Sequence, residues 1–512
     1  MLSMPYRTES HALRGSSSRV PQTLLRIVVL TVLFTAVAVN VPRQLNYFSG
    51  SEVWIHLRTG VWILQNHAVP SNGIFSQYTD LSWKDSSWGF DLLLGVAYRL
   101  VGLRAILMAA ILLKAALAIA AFRLARAGKS GFWESVVLSA AAQYVIDGLQ
   151  TLSGLCSVVF LAIELTILIR SRQGGDARSL FWLPVLFVLW ANLHAQFVVG
   201  LVVLFLFAIL EFAARRLRSC GVSWISSRIV LSDPVHAGWA VLLSFAATLA
   251  NPYAYRLFPV AVKTAYSSAQ FKYFSEMFAL SFRKPQDYVL MLLIMMAFLS
   301  LGRLRSLELF ELGLLLVGTV VAFRIQRDNW LAVLPAIALL SSGISWLPEQ
   351  TESRGSRSTI WLWAAGLSVA VIVAGIISLP GDEELIRRAG KTMPVKACDY
   401  IRAHHLHGPI FNAFSFGSFL PWYLPEYPAA IDTRVELYGN KRVDDYFEAI
   451  SGNRRIEDAP VLAQAGTLLL EKESGLGLAL TTFPVLEARY QQVYSDDVAR
   501  VFVTLPTPAP EK

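Results

Sequence analysis

Long apolar runs alternate with short polar, mostly basic stretches over the first three quarters of the chain. Runs at 24–41, 104–122, 132–148, 154–169, 179–193, 197–214, 237–250, 288–302, 307–323, 330–346 and 359–379 approach the roughly 20 residues a bilayer-spanning helix needs. The pattern predicts an α-helical polytopic membrane protein of about 11–13 transmembrane helices. Segment 90–101 is a further candidate, short enough to be a half-helix. After Pro380-Gly381 the apolar runs shorten, charges mix, and alternation at 493–494 and 498–503 predicts strands. About 130 residues are enough for a small soluble α/β domain with its own core. The expected organisation is a basic cytoplasmic tail at 1–23, a membrane domain at 24–379 with a first outer loop at 43–89, and an extracytoplasmic α/β domain at 380–512.

The first loop is the exception to the alternation, because Tyr47 to Asp91 is too polar for membrane and too aromatic for a linker. Apolar positions 53, 57, 61 and 64 fall at helical spacing and predict an amphipathic helix. Glu52 and His56, four apart, share one face of it, an acceptor beside a titratable imidazole. Trp54 and Trp62 suit a helix at the membrane surface. Pro70-Ser71-Asn72-Gly73 reads as a turn, and a second aromatic run from Trp83 to Asp91 carries Asp85.

Charge refines the topology. The net +9 is uneven: residues 381–512 hold 14 Lys and Arg against 18 Asp and Glu, leaving +13 for the rest. Basic clusters at Arg123/Arg126/Lys129, Arg170/Arg172/Arg178, Arg215/Arg216/Arg218, Arg303/Arg305 and Arg354/Arg357 predict cytoplasmic ends. The first loop, His194, 251–287 and everything after 380 then lie outside. Arg7, Arg14, Arg19 and Arg26 precede or open the first span without a convincing cleavage site, so an uncleaved anchor and a cytoplasmic N-terminus are expected. The expected location is the inner (plasma) membrane, multi-pass. The basic excess fits anionic lipid and gives no reason to expect nucleic acid. Cys156, Cys220 and Cys398 imply neither a disulfide framework nor a thiolate metal site.

Ionisable residues at the outer ends of spans are functional candidates, being costly at membrane depth. They are His194, Arg256, Lys263, Lys272, Glu276, Arg324 and Arg327, with Arg58 in the loop. Guanidinium forks and ammonium groups facing a cavity suit a lipid phosphate, whereas side chains that merely snorkel to the interface would serve only as anchors. His194 reads either as a general acid/base or as an interhelical hydrogen-bond partner, and Asp147 and Glu164 as structural pairs. No phosphate-cradling glycine loop, serine elbow, HExxH or CxxC pair is present, so nucleotide hydrolysis, serine-hydrolase and zinc chemistry have no support.

Several short motifs together resemble a known family. Trp54-Ile55-His56-Leu57-Arg58-Thr59-Gly60, Trp190-Ala191-Asn192-Leu193-His194, Asn251-Pro252-Tyr253, Phe411-Asn412, Phe416-Gly417-Ser418-Phe419-Leu420, Ile431-Asp432-Thr433-Arg434 and Glu436-Leu437-Tyr438-Gly439 are similar to those of glycosyltransferase C-like bacterial membrane proteins. Those proteins are relatives of the lipid A aminoarabinose transferases and protein O-mannosyltransferases. The resemblance implies transfer of a sugar from a polyprenyl-phosphate donor, at the outer face of the membrane, to an acceptor lipid, glycan or protein.

On that implication Glu52 is the first choice for the base, then Asp85, with His56 beside them. Arg58, Arg256, Arg324, Arg327, Lys263 and Lys272 are candidates for the donor phosphate. Glu52 with His56 is a partial ligand set, so a divalent metal ion is allowed and not required. The chain departs from the family in carrying Gly50-Ser51-Glu52 for Asp-Pro-Asp and Ser86-Ser87-Trp88 for His-Glu-Trp. Two other classes therefore stay open: a noncatalytic partner of an envelope polysaccharide system, and a lipid or solute transporter.

Overall fold

The computed structural model describes residues 22–41, 48, 52–128, 130–147, 151–174, 177–222, 234–303, 308–343, 354–452, 459–483, 486 and 488–505. Most of the N-terminal basic tail, Gly50, Ser51, Lys129 and Arg305 lie outside them.

Each of the eleven apolar runs contains a helix among the described residues. Among the described residues five are long and apolar enough to cross a membrane: Arg104–Ala125, Leu152–Arg172, Phe197–Ser219, Pro285–Arg303 and Ser358–Ile377. Shorter apolar helices pack among them, including Gln22–Asn40, Phe132–Ile146, Leu183–Leu193, Leu309–Arg324 and Trp330–Gly343. Large apolar side chains face outward around this bundle, with Leu362 and Ile377 each 74% exposed and Val320 67%. A surface of that kind is stable against lipid and not against water, so the chain is a multi-pass membrane protein.

The tail folds as a mixed α/β unit. Strands β1 (Ile410–Asn412), β2 (Thr467–Glu471), β3 (Tyr490–Ser495) and β4 (Ala499–Thr504) form one sheet in the order β1-β2-β4-β3. β1 runs parallel to β2, the other pairs are antiparallel, and the register shifts between Gln492 and Tyr494. Its start is pinned to the bundle, since the Leu103 amide donates to Asp382 (3.0 Å) and Arg104 Nε to the Pro380 carbonyl (3.0 Å).

The first loop differs from a surface amphipathic helix. The helix Glu52–Asn66 exists, but Trp54, Ile55, Thr59 and Gly60 are buried together with Val53 and Leu57, so most of its circumference is covered. Trp54 is not interfacial; it lies under the tail, with its ring 4.6 Å from Trp422 and 5.0 Å from Phe419. Residues 88–101 form a helix of 14 residues, about 21 Å long and short of the hydrocarbon core. That helix packs on Glu52–Asn66 backbone to backbone, because a Cβ on Gly60 would stand 1.9 Å from the Asp91 carbonyl oxygen and one on Gly95 2.5 Å from the Gly60 carbonyl carbon.

Two readings of buried charge change. Arg172 is no free cytoplasmic cation: its Nε lies 2.8 Å from Glu211, Nη2 2.6 Å from Glu308 and Nη1 3.3 Å from Glu311, tying three helices together. Asp147 pairs with Lys114 (2.5 Å), but both Glu164 carboxyl oxygens are buried with no partner among the described residues, so Glu164 is not half of a structural pair. The three cysteines are free.

The glycine contact generates a stability prediction. Gly60→Ala should cost about 1–3 kcal/mol by overpacking, read as a lower unfolding temperature in detergent. Gly366→Ala, where a Cβ meets nothing within 4 Å in the interior of a helix, should leave that temperature unchanged or raise it, since alanine favours helix over glycine by up to about 1 kcal/mol.

Candidate active site

A cavity of about 160 Å³ opens where the first loop, the outer ends of the bundle helices and the tail meet. The loop contributes Glu52, His56, Asp85, Ser86 and Asp91; the bundle Ser153, His194, Gln196, Arg327 and Asp328; the tail Arg434 and Glu436. Residues distant in sequence by nearly four hundred positions thus share one wall.

The glycine contact sets the loop's geometry. His56 lies one turn before Gly60 and Asp91 one turn before Gly95, so the backbones that touch at the glycines carry these two side chains face to face. His56 Nδ1 is 2.6 Å from Asp91 Oδ1, and on the other side of the ring Nε2 is 3.3 Å from Ser153 Oγ. The carboxylate accepts from Nδ1 and so fixes the orientation of the ring, with Nε2 turned to the serine hydroxyl. Burial pushes the Asp85 and Asp91 carboxyls well above the ordinary carboxylate range, and the two lie close enough to hydrogen-bond. Such a pair holds one proton between two acids. Asp85 also accepts from the Ser87 amide (2.9 Å).

Burial raises Glu52 too; His56 draws it back, the Glu276 charge raises it and Arg327 lowers it. Glu436 is raised by burial while accepting from Trp83 Nε1 (3.2 Å). Across the cavity His194 is pushed down to about 3 by burial, then by the charges of Arg327 and His56, so its ring is neutral.

The predicted donor-phosphate cations do not gather. Of the six, Arg327 alone lines the cavity, its Nε 3.7 Å from Asp328. Arg58 lies over the Phe75 ring at 5.1 Å, with its Nε buried and unpartnered. Lys263 donates to the Glu436 carbonyl (2.9 Å) and Lys272 pairs with Asp444 (3.4 Å), both serving the junction with the tail. Arg256 is exposed, and Arg324 is exposed over Phe271 at 6.0 Å. Glu276 lines a neighbouring cavity of about 310 Å³ that Arg327 also borders.

The sequence alone points to no role for Asp91, Ser153, Asp328 or Glu436, and Arg434 enters it only within the Ile431-Asp432-Thr433-Arg434 motif. Asp91 left a signal, an acid in the first turn of an apolar helix; Ser153 left none. Arg434 is held by Asp432 through Nε (2.9 Å) and Nη2 (2.6 Å), stacks 4.5 Å from the Trp83 ring, and keeps Nη1 buried without a partner among the described residues. Among the described residues no three His, Cys, Asp or Glu side chains have the geometry to hold a metal. Asp91 is committed to His56, so this donor set does not fit a divalent ion.

The short motifs are the contacts that build this wall. Trp88 Nε1 donates to Asn192 (3.0 Å), and Asn192 donates in turn to the Ala250 carbonyl (2.9 Å). Tyr253 donates to the Pro70 carbonyl (2.7 Å) and accepts from the Asp85 amide (3.3 Å). In the tail Asn412 donates to the Ile431 carbonyl (2.9 Å), and Ser418 meets Thr433 (2.7 Å).

Solved structures are similar to this chain. The archaeal oligosaccharyltransferase AglB from Archaeoglobus fulgidus, in complex with an inhibitory peptide and a dolichol-phosphate, aligns over 96% of this chain and 75% of its own, with 10% identity and a TM-score of 0.56. The chain shares its fold with that enzyme. The apo form of the Archaeoglobus enzyme aligns over 97% of this chain and 76% of its own, with 11% identity and a TM-score of 0.53. ArnT from Cupriavidus metallidurans bound to undecaprenyl phosphate aligns over 97% of this chain and all of its own, with 11% identity and a TM-score of 0.43. No family model and no curated protein sequence matches the chain.

The raised Asp85 and Asp91 carboxyls give the cavity a pH signature. Their raised values favour the native state while they are protonated, so stability is full at low pH and falls as pH climbs from about 4, the ordinary carboxylate value, through the raised ones. Asp85→Asn keeps the acceptor for Ser87 and removes one acid. Its unfolding temperature between pH 4 and pH 8 should fall less than that of the unaltered protein.

Proposed function

We propose that the protein is a membrane glycosyltransferase that moves a sugar from a polyprenyl-phosphate donor to an acceptor lipid, glycan or protein at the outer face of the inner membrane. The observation that carries this reading is the meeting of Glu52, His56, Asp85 and Asp91 with His194 and Arg327 around one cavity at the outer ends of the bundle. The fold, found in an enzyme solved with a dolichol-phosphate, supports the same donor class.

Glu52 takes the proton of the acceptor hydroxyl. The acceptor oxygen then bonds to the sugar's anomeric carbon while the bond from that carbon to the phosphate oxygen breaks, its electron pair leaving with the phosphate. Arg327 receives the departing charge. Burial strengthens Glu52 as a base, and holding both partners in the cavity replaces a bimolecular encounter. His56, fixed by Asp91, orients the hydroxyl next to Ser153.

Incubating the purified protein with radiolabelled polyprenyl-phosphate sugars and membrane lipids tests the reading. Glu52→Gln should lower transfer by about 10²- to 10⁴-fold, and Glu52→Asp should retain more activity. Transfer near normal in the Gln variant, with protein level and lipid binding intact, would move the base to Asp85 or favour the noncatalytic partner.

The same reading puts the tail outside the cytoplasm. A reporter active only in the cytoplasm and fused after Thr504 should stay silent. A strong signal would overturn both the topology and the outer-face site.

A further inference from the structure

Beneath the cavity wall, three side chains form a relay that ends at His194. Trp190 Nε1 lies 2.7 Å from Ser157 Oγ, and Ser157 Oγ lies 2.8 Å from His194 Nδ1. An indole N–H can only donate, so Ser157 accepts from Trp190. The serine keeps its own proton, and it is fully buried. His194 Nδ1 is the one acceptor the structure offers that proton among the described residues. In the reverse arrangement, with Nδ1–H donating, the serine proton would be buried without an acceptor, at a cost of about 1–3 kcal/mol. An Nδ1 that accepts carries no proton, so the neutral ring bears its hydrogen on Nε2. With Nδ1 engaged by Ser157, Nε2 is the nitrogen left to the cavity that His194 lines.

The surroundings of that N–H are positive. The charged groups acting on His194 are Arg327 and His56, and no carboxylate is among them. Asp328, which follows Arg327 in the chain, is held by Gln196 Nε2 (3.1 Å) and faces Arg327 Nε. Asp85 and Asp91 are grouped instead around the His56 side of the cavity.

We infer that Trp190 and Ser157 are positioning residues that lock His194 as the Nε2–H tautomer, and that this N–H, beside Arg327, donates to the phosphate of the polyprenyl donor. The inference rests on the transferase reading for its ligand, and names the pole of the cavity where the leaving group sits.

The test uses full-length protein labelled with ¹⁵N-histidine, in nanodiscs, with the His194 signals identified by their loss in His194→Gln. The unaltered protein should show the Nε2–H pattern from pH 6 to pH 8, and adding undecaprenyl phosphate should shift Nε2 more than Nδ1. Ser157→Ala should give a mixture of tautomers and weaken undecaprenyl phosphate binding about 10- to 100-fold, the range for one hydrogen bond to a charged group. Trp190→Phe should fall between the two.

An Nδ1–H pattern in the unaltered protein would overturn the inference. So would a mixed tautomer in Ser157→Ala with unchanged binding, or a lipid phosphate that binds without moving Nε2. If Ser157→Ala does not fold, the unaltered spectrum with and without the lipid decides. Loss of sugar transfer alone, with tautomer and lipid binding as expected, would count against the transferase reading and leave the relay standing.

Discussion

The contact of Gly60 with Gly95 is the constraint from which the outer cavity follows. Two helices can touch backbone to backbone only where both lack a Cβ, and here each glycine would otherwise carry an atom into the other chain's peptide group. One turn away the same spacing brings His56 and Asp91 to 2.6 Å. The hairpin is therefore both a packing unit and the carrier of the acid-rich wall. The tail presses on it through Trp422 and Phe419 against Trp54. The loop consequently acts as a wedge between bundle and tail, with little of its helix left to solvent.

Buried charge is distributed with a purpose that local pairing alone does not explain. At one end of the helix Leu152–Gly174, Arg172 gathers three glutamates from other helices. At the opposite end Ser153 and Ser157 face two histidines. A charge surrounded by partners in a dry interior is a rigid fixture, because moving any one partner leaves another uncompensated. Ser153 and Ser157 thus stand on a helix fastened at its far end. Within the cavity the acids cluster around His56 and the cation Arg327 stands by His194, a separation of poles that suits a reaction in which a proton leaves one side and negative charge develops on the other.

Much of the fold was legible because its causes are local or periodic. Every apolar run became a helix, and the alternation at 498–503 became β4. Glu52 and His56, paired by helical spacing alone, do line one cavity together with Asp85 and His194. What was not legible depends on tertiary burial. Nothing in the sequence distinguishes Arg327, which lines the cavity, from Arg256 and Arg324, which stay exposed. Trp54 carries the same signal as an interfacial tryptophan, and it takes the tail's Trp422 to show otherwise. Lys263 and Lys272 look like free cations in the sequence because their partners, the Glu436 carbonyl and Asp444, lie some 170 residues further on.

The contact of Trp54 with Trp422 also orders events in time. The first loop leaves the ribosome before ten of the eleven apolar helices, and the tail that closes over it comes after all of them. Until Arg434 and Glu436 arrive, the wall they complete is open and the buried acids of the loop still meet water. Their unusual proton affinity is thus a property acquired at the end of biogenesis, and a chain still being inserted carries the residues of the cavity without its chemistry.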